Sequence, residues 1–180
     1  MHADPTYRDL GDHTESIQID YDPAEISYEE LLKLFWSSHN PCARASLQYR
    51  SIIFYGSEEQ RKAAIESRDR EQAKRGKIRT EILPAPRFYL AEDYHQKYYL
   101  RNDVELMKEF RDLNPSEFVH STAAARVNGY LGGHGPADRV RAEVDRLGLS
   151  PEGRKNLLRR MGIKASEPCD PSGTGCRRSE

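Results

Sequence analysis

An α+β fold, a two-layer α/β sandwich with helices covering one sheet, is what this sequence predicts. Three observations predict it: short alternating or apolar runs, capped amphipathic segments between them, and their strict alternation along the first ninety residues. With 180 residues, 28 Lys+Arg and 29 Asp+Glu, the net charge is −1. A chain of this size buries roughly 70% of its unfolded surface. Near-neutrality gives no electrostatic reason to expect a nucleic-acid or membrane partner for the whole chain.

The elements follow in order. Ile17, Ile19 and Tyr21 alternate with Gln18 and Asp20, which predicts a half-buried first strand ending at Asp22-Pro23. Ser27 and Glu30 have capping-box spacing. Leu31, Leu32, Leu34 and Phe35 then give an apolar helical stripe that ends near Ser38, before Asn40-Pro41. Ile52 to Tyr55 read as a buried strand closed by Gly56. A second capping box, Ser57 with Gln60, opens a long charged helix to about Arg75, with Glu58/Lys62 and Glu66/Arg70 one turn apart and Gly76 as C-cap. Ile78, Thr80 and Ile82 alternate as a third strand, halted by Pro84 and Pro86.

Beyond Phe88 the pattern is helical. Asp103 to Phe110 is a short helix, and Asn114-Pro115 starts another that runs towards Tyr130 and fails at Gly132-Gly133-His134-Gly135. Ala137 to Leu147 and Pro151 to Met161 are two further helices, the second capped by Ser150. Lys164 to Glu180 has no apolar period and reads as a disordered tail. No run approaches the ~20 apolar residues of a membrane span. The first fifteen residues are polar, without the apolar core of a signal peptide. Three cysteines, Cys42, Cys169 and Cys176, argue against a disulfide scaffold, and cytoplasm is the expected compartment.

Four groups of residues could carry chemistry. Tyr7, Asp12, His13 and Glu15 precede the first predicted strand. A carboxyl group delivered among aromatic rings keeps its proton more tightly and can act as an acid, although the same residues also suit a solvated turn. Gln48-Tyr49-Arg50 enters the strand at Ser51, where a phenol can donate to a developing oxyanion or simply pack at the sheet rim. Phe88-Tyr89, Glu92-Asp93-Tyr94-His95 and Tyr98-Tyr99 are dense in aromatic and titratable groups. Their spacing does not complete a metal site, so a packed aromatic loop is expected and no metal. Cys42 lies near His39 and Arg44, cations that favour a thiolate, and none of the three cysteines sits in a C-x-x-C pattern.

Taken together, Asp4-Pro5-Thr6-Tyr7, His13-Thr14-Glu15, Tyr21-Asp22-Pro23, Ile26-Ser27-Tyr28-Glu29-Glu30-Leu31-Leu32, Phe35-Trp36 with His39-Asn40-Pro41, Gln48-Tyr49-Arg50-Ser51 and Phe88 to Gln96 strongly resemble the A-type peptide methionine sulfoxide reductases. The resemblance covers roughly the first hundred residues. It implies a ferredoxin-like plait and the reduction of methionine-S-sulfoxide to methionine, a repair of oxidative damage. In that chemistry a cysteine thiolate attacks the sulfoxide sulfur and becomes a sulfenic acid; a resolving thiol then forms a disulfide. Thioredoxin or another dithiol is the implied reductant, and no cofactor is expected. Glu15 matches the family's acid, and Tyr7 and Tyr49 match the two tyrosines that hold and protonate the oxygen. The resemblance also divides the chain: 1–101 as an N-terminally incomplete reductase-like domain, 102–135 as helices and a glycine-rich segment, 136–163 as an appended helical pair, and 164–180 as the tail.

The departures carry their own expectations. The family nucleophile lies in a Gly-Cys-Phe-Trp motif, which these 180 residues do not contain. A Gln-Gly-Asn-Asp loop precedes Gln-Tyr-Arg in the family; here only Cys42 to Leu47 follow Pro41. Asn128 to Gly133 looks like the family's glycine-rich segment, with Leu131 at the place of a resolving cysteine, and for the helices after Pro136 the resemblance names no counterpart. The favoured expectation is a chain whose start lies downstream of the true N-terminus and which is inactive alone. A variant that lost its nucleophile and a substitute role for Cys42 are the alternatives, with Cys169 or Cys176 open as resolving thiols. A reading of a different class makes the protein a non-catalytic binding module. Residues 137–165 hold eight basic and four acidic residues, and Arg154, Lys155, Arg159 and Arg160 could meet phosphate or form an ordinary solvated face.

Overall fold

The computed structural model describes residues 11 and 13–163. The chain divides into two compact units, Met1–Ala91 and Glu92–Glu180.

In the first unit, helix α1 (Tyr28–Ser38) starts at the expected place for the expected reason. The Ser27 hydroxyl accepts from the Glu30 N–H, and the Glu30 carboxylate accepts the Ser27 N–H in return. Strand β1 (Ile52–Tyr55) and strand β2 (Glu81–Pro84) pair in parallel, with Ile53 opposite Ile82. Parallel neighbours need a long crossover, and the 18-residue helix α2 (Glu58–Arg75) supplies it. Only half of the second capping box forms. Ser57 caps the Gln60 N–H, but the Gln60 side chain accepts from Gly56 instead. Glu58 pairs with Arg61 at 2.6 Å rather than with Lys62, and Glu71 holds Lys74 and Arg75. The core here is small: Leu32, Trp36, Ile53, Ala64 and Ile78. Trp36 donates its indole N–H to the buried Ser67 hydroxyl at 3.0 Å, tying α1 to α2. Mixed helices and a small parallel sheet make this unit α+β.

The expected strand at Ile17, Ile19 and Tyr21 is not formed. Residues 13–22 lie outside any strand, and Ile17 and Ile19 are 84% and 52% exposed. Alternation prepares one apolar face, but a strand is stabilised by its ladder and by what covers that face, and among the described residues nothing does either. The third strand is shorter than its pattern. Ile78 and Thr80 are buried as predicted, yet the ladder begins at Glu81 and stops at Pro84.

The second unit is helical: α3 (Tyr98–Arg101), α4 (Val104–Met107), α5 (Pro115–His120), α6 (Thr122–Leu131), α7 (Ala137–Glu143) and α8 (Pro151–Arg160). Single turns of 3₁₀ helix extend α4 to Phe110 and α7 to Arg146, so these two segments end close to where the sequence places them. The single helix expected from Asn114 to Tyr130 is instead two. Ser121 turns extended (ψ 115°) and its hydroxyl caps the Ala124 N–H, so a polar side chain competes successfully with the helix interior.

The helices expected as an appendage are built into this unit's core. Val140, Val144, Leu147, Leu149 and Leu157 share one buried cluster with Leu100, Leu106, Phe118 and Val127. Polar ties reinforce it. The Glu109 carboxylate accepts both the N–H and the hydroxyl of Ser150, the α8 N-cap, at 2.7 and 2.8 Å. Asp103 caps α4 and accepts from Arg160 at 2.7 Å. Arg126 reaches the buried Glu143 at 2.9 Å. Lys164 to Glu180 lie outside the described residues.

Candidate active site

Two of the motifs singled out in the first ninety residues, His13-Thr14-Glu15 and Gln48-Tyr49-Arg50, are joined by hydrogen bonds. Glu15 N–H donates to the Gln48 carbonyl at 2.9 Å, and the Gln48 side-chain amide donates to the Glu15 carboxylate at 2.7 Å. Thr14 continues the seam: its hydroxyl donates to the Leu47 carbonyl and accepts from Arg50 Nε, both at 2.9 Å. Arg50 also reaches Glu81 at 3.2 Å, which fixes the seam to the first residue of β2. Tyr49 sits in the turn that its N–H closes onto the Ser46 carbonyl, and the residue is 57% exposed. Glu15 is exposed beside it. Tyr89 returns to the same segment, its ring edge-on to His13 at 5.1 Å with the Arg87 guanidinium over its face at 5.0 Å.

A chain of hydrogen bonds that the sequence reading gave no role supports this seam. His39 Nδ1 lies 2.9 Å from the Phe35 carbonyl and Nε2 lies 2.8 Å from the Ser51 hydroxyl, which is 2.8 Å from Thr80 Oγ1. A carbonyl can only accept, so Nδ1 carries a proton, and in the neutral ring Nε2 accepts from Ser51. The C-terminus of α1 is thereby joined to the entrances of β1 and β2. His39 and Ser51 were visible within the quoted motifs, but their pairing across twelve residues was not.

The other candidates are placed elsewhere or not at all. Tyr7, Asp12, Cys169 and Cys176 lie outside the described residues. Cys42 is half-buried, and its thiol donates to the Arg75 carbonyl in the last turn of α2 at 3.8 Å, not to the Glu15–Gln48 seam. His95 stacks with Tyr94 at 4.2 Å, and among the described residues no three His, Cys, Asp or Glu side chains cluster as metal ligands do. Three of the four basic residues on α8 are engaged within their unit: Arg154 with Asp145 and the Leu149 carbonyl, Arg159 with Asn156, and Arg160 with Asp103. No described helix is long and apolar enough to cross a membrane.

Comparison with known proteins follows the same lines. A family model described as peptide methionine sulfoxide reductase matches residues 1–134. A peptide methionine sulfoxide reductase of Drosophila melanogaster is 44% identical over 158 residues, covering 84% of this chain and 63% of its own length. Peptide methionine sulfoxide reductase A5 of Oryza sativa subsp. japonica is 40% identical, covering 81% and 61%. An MsrA of Methanothermobacter thermautotrophicus is 45% identical over 54% of the chain and 66% of its own length. The chain therefore spans less than two thirds of the length of these relatives. The first two likenesses cover more of the chain than the 134 matched family residues, so they run on past residue 134. The segment after Pro136, for which the resemblance names no counterpart, is thus matched in part by these two relatives.

Proposed function

Because the chain belongs to the peptide methionine sulfoxide reductase family, we propose that its Glu15–Tyr49 seam holds and protonates the oxygen of methionine-S-sulfoxide while a thiol reduces the sulfur. The observation that supports this reading is the Gln48 amide on the Glu15 carboxylate at 2.7 Å, which ties the family-matched acid to the residue before the family-matched Tyr49. Tyr7 completes the trio by its match in sequence. The wider ferredoxin-like plait belongs to the same proposal.

The chemistry is a two-electron reduction. A thiolate attacks the sulfoxide sulfur while the acid gives a proton to the oxygen; the thioether leaves and the attacking sulfur ends as a sulfenic acid. A second thiol condenses with it, forming a disulfide and releasing the oxygen as water. The acid lowers the barrier by neutralising the oxygen as its bond to methionine sulfur breaks. Glu15 is exposed at the seam; an aromatic cover over it belongs to the proposal. Thioredoxin or another dithiol in a reducing compartment such as the cytosol restores the thiols, and no prosthetic group enters any step.

These 180 residues contain no Gly-Cys-Phe-Trp, and the Cys42 thiol faces α2. The chain alone is therefore expected to show only background reduction of methionine-S-sulfoxide with dithiothreitol. Turnover that disappears in Cys42→Ser overturns that expectation and makes Cys42 the nucleophile. In a version extended by a Gly-Cys-Phe-Trp segment, Glu15→Gln is expected to slow reduction about 100-fold or more, the usual worth of a placed acid. An unchanged rate removes Glu15 from this role.

A further inference from the structure

Beside the seam lies a pocket of about 330 Å³, lined by the shortened loop Ala43–Leu47 and by Arg50, Ser51, Arg79 and Glu81. Three arginines, Arg44, Arg50 and Arg79, line it together with one acidic residue, Glu81. Arg50 is compensated, since it already reaches Glu81 at 3.2 Å. Arg79 donates its Nε to the Cys42 carbonyl at 3.1 Å, which fixes the plane of its guanidinium and leaves both terminal NH₂ groups for a ligand. Among the described residues Arg44 has no ion-pair partner. Among the described residues the pocket is therefore lined by two arginines without an ion-pair partner, whose forked guanidinium groups match a carboxylate.

We propose that this pocket is a subsite for an acidic side chain next to the oxidised methionine, so that the preferred substrates are acidic peptide segments. The inference rests on the reading of the seam given above. Position supports it: Leu47 lines the pocket and is hydrogen-bonded to Thr14, while its neighbours Gln48 and Tyr49 form the seam. Two residues of extended chain span about 7 Å, the scale on which a carboxylate one or two residues from the sulfoxide would enter a pocket that shares Leu47 and Arg50 with the seam. The pocket has no aromatic platform for a base and no run of cations to follow a phosphate backbone, which favours a peptide carboxylate over nucleic acid.

The test is equilibrium binding of short peptides to the intact 180-residue chain at low salt. Methionine-S-sulfoxide is flanked on both sides by Asp in one peptide and by Ala in another, and each is compared with its unoxidised form. Asp flanks are expected to tighten binding about fivefold, the worth of one or two exposed charge pairs, and the gain should fade as salt screens it. Arg44→Glu with Arg79→Glu should reverse the preference, and Arg44→Gln with Arg79→Gln, a milder pair that keeps the side chains polar, should abolish it. Oxidised peptides that outbind reduced ones, with Asp and Ala flanks alike, overturn the acidic subsite and leave the seam's reading intact. Oxidised and reduced peptides that bind equally overturn the reading of the seam, and this assignment with it.

Discussion

The two units of this chain solve the same problem with different means. Among the described residues, the Met1–Ala91 unit gathers five buried hydrophobic residues into its core, and the Glu92–Glu180 unit gathers thirteen. Both units leave large apolar side chains exposed, Ile17, Ile19 and Leu34 in the first and Tyr98, Tyr99 and Val104 in the second. It is the sparsely packed first unit that carries the seam, with Glu15 and Tyr49 open to solvent, while the other spends its polar groups on holding helices together. Under the proposed function this open surface is where substrate docks, and local stability is lower where burial is thin. The contrast predicts where each unit fails when a single residue is changed.

The largest effect is expected at Leu157, fully buried among the helices of the second unit. Leu157→Ala should cost about 2–5 kcal/mol, the lost burial plus the cavity left behind. Hydrogen exchange followed by mass spectrometry should show α4, α6 and α8 losing protection while amides in α1 and α2 change little. Equal loss in both would mean that the two cores do not melt as separate clusters.

A sharper probe uses Gly153 inside α8. Glycine in a helix normally weakens it, so alanine there ordinarily gains about 1 kcal/mol. Here a β-carbon would stand 2.5 Å from the Glu109 carboxyl group, the same group that caps Ser150. Gly153→Ala should therefore destabilise by about 1–3 kcal/mol in urea denaturation, through displacement of that carboxylate. In a Glu109→Ala background the sign should reverse, because the obstacle is gone. Additive effects in the double variant would show that the carboxylate is not what fills the space above Gly153.

What could be read from the sequence was what depends on nearby residues. Ser27 with Glu30, Ser57, Asn114-Pro115 and Ser150-Pro151 each announce a helix start with side chains that bond within one turn, and each helix begins there. Pro84 ends β2 for an equally local reason. The segment at Ile17 and Ile19 has a strand's pattern, but whether it pairs depends on a neighbour the pattern does not contain. Helix α3 carried no warning because its N-cap, Lys97, enters from the left-handed region with φ 52° and makes no side-chain cap bond. The site divides in the same way. Glu15 and Tyr49 are candidates that their motifs propose, whereas the His39–Ser51–Thr80 chain and the shared pocket of Arg44 and Arg79 exist only in the folded chain.

The smallest expected effect isolates charge from geometry in the second unit. Burial works to raise the Asp103 carboxyl, but the Leu106 N–H and the Arg160 guanidinium outweigh it and hold the group below the usual aspartate value of 3.8. A depressed folded value means that ionised Asp103 stabilises the fold above the unfolded value and that this stability is lost as pH falls through the folded one. Asn caps a helix about as well as Asp, so Asp103→Asn keeps the bond from Leu106 and removes only the ion pair with Arg160. With Arg160 nearly half exposed, the loss at pH 7 should be about 0.5–1 kcal/mol and should shrink in high salt. Below about pH 4 the wild-type advantage should decline as Asp103 takes up its proton. A gap between the two proteins that stays constant from pH 7 to pH 3 would mean the cap bond rather than the charge carries the tie. The polar ties would then hold the second unit's helices by hydrogen-bond geometry alone.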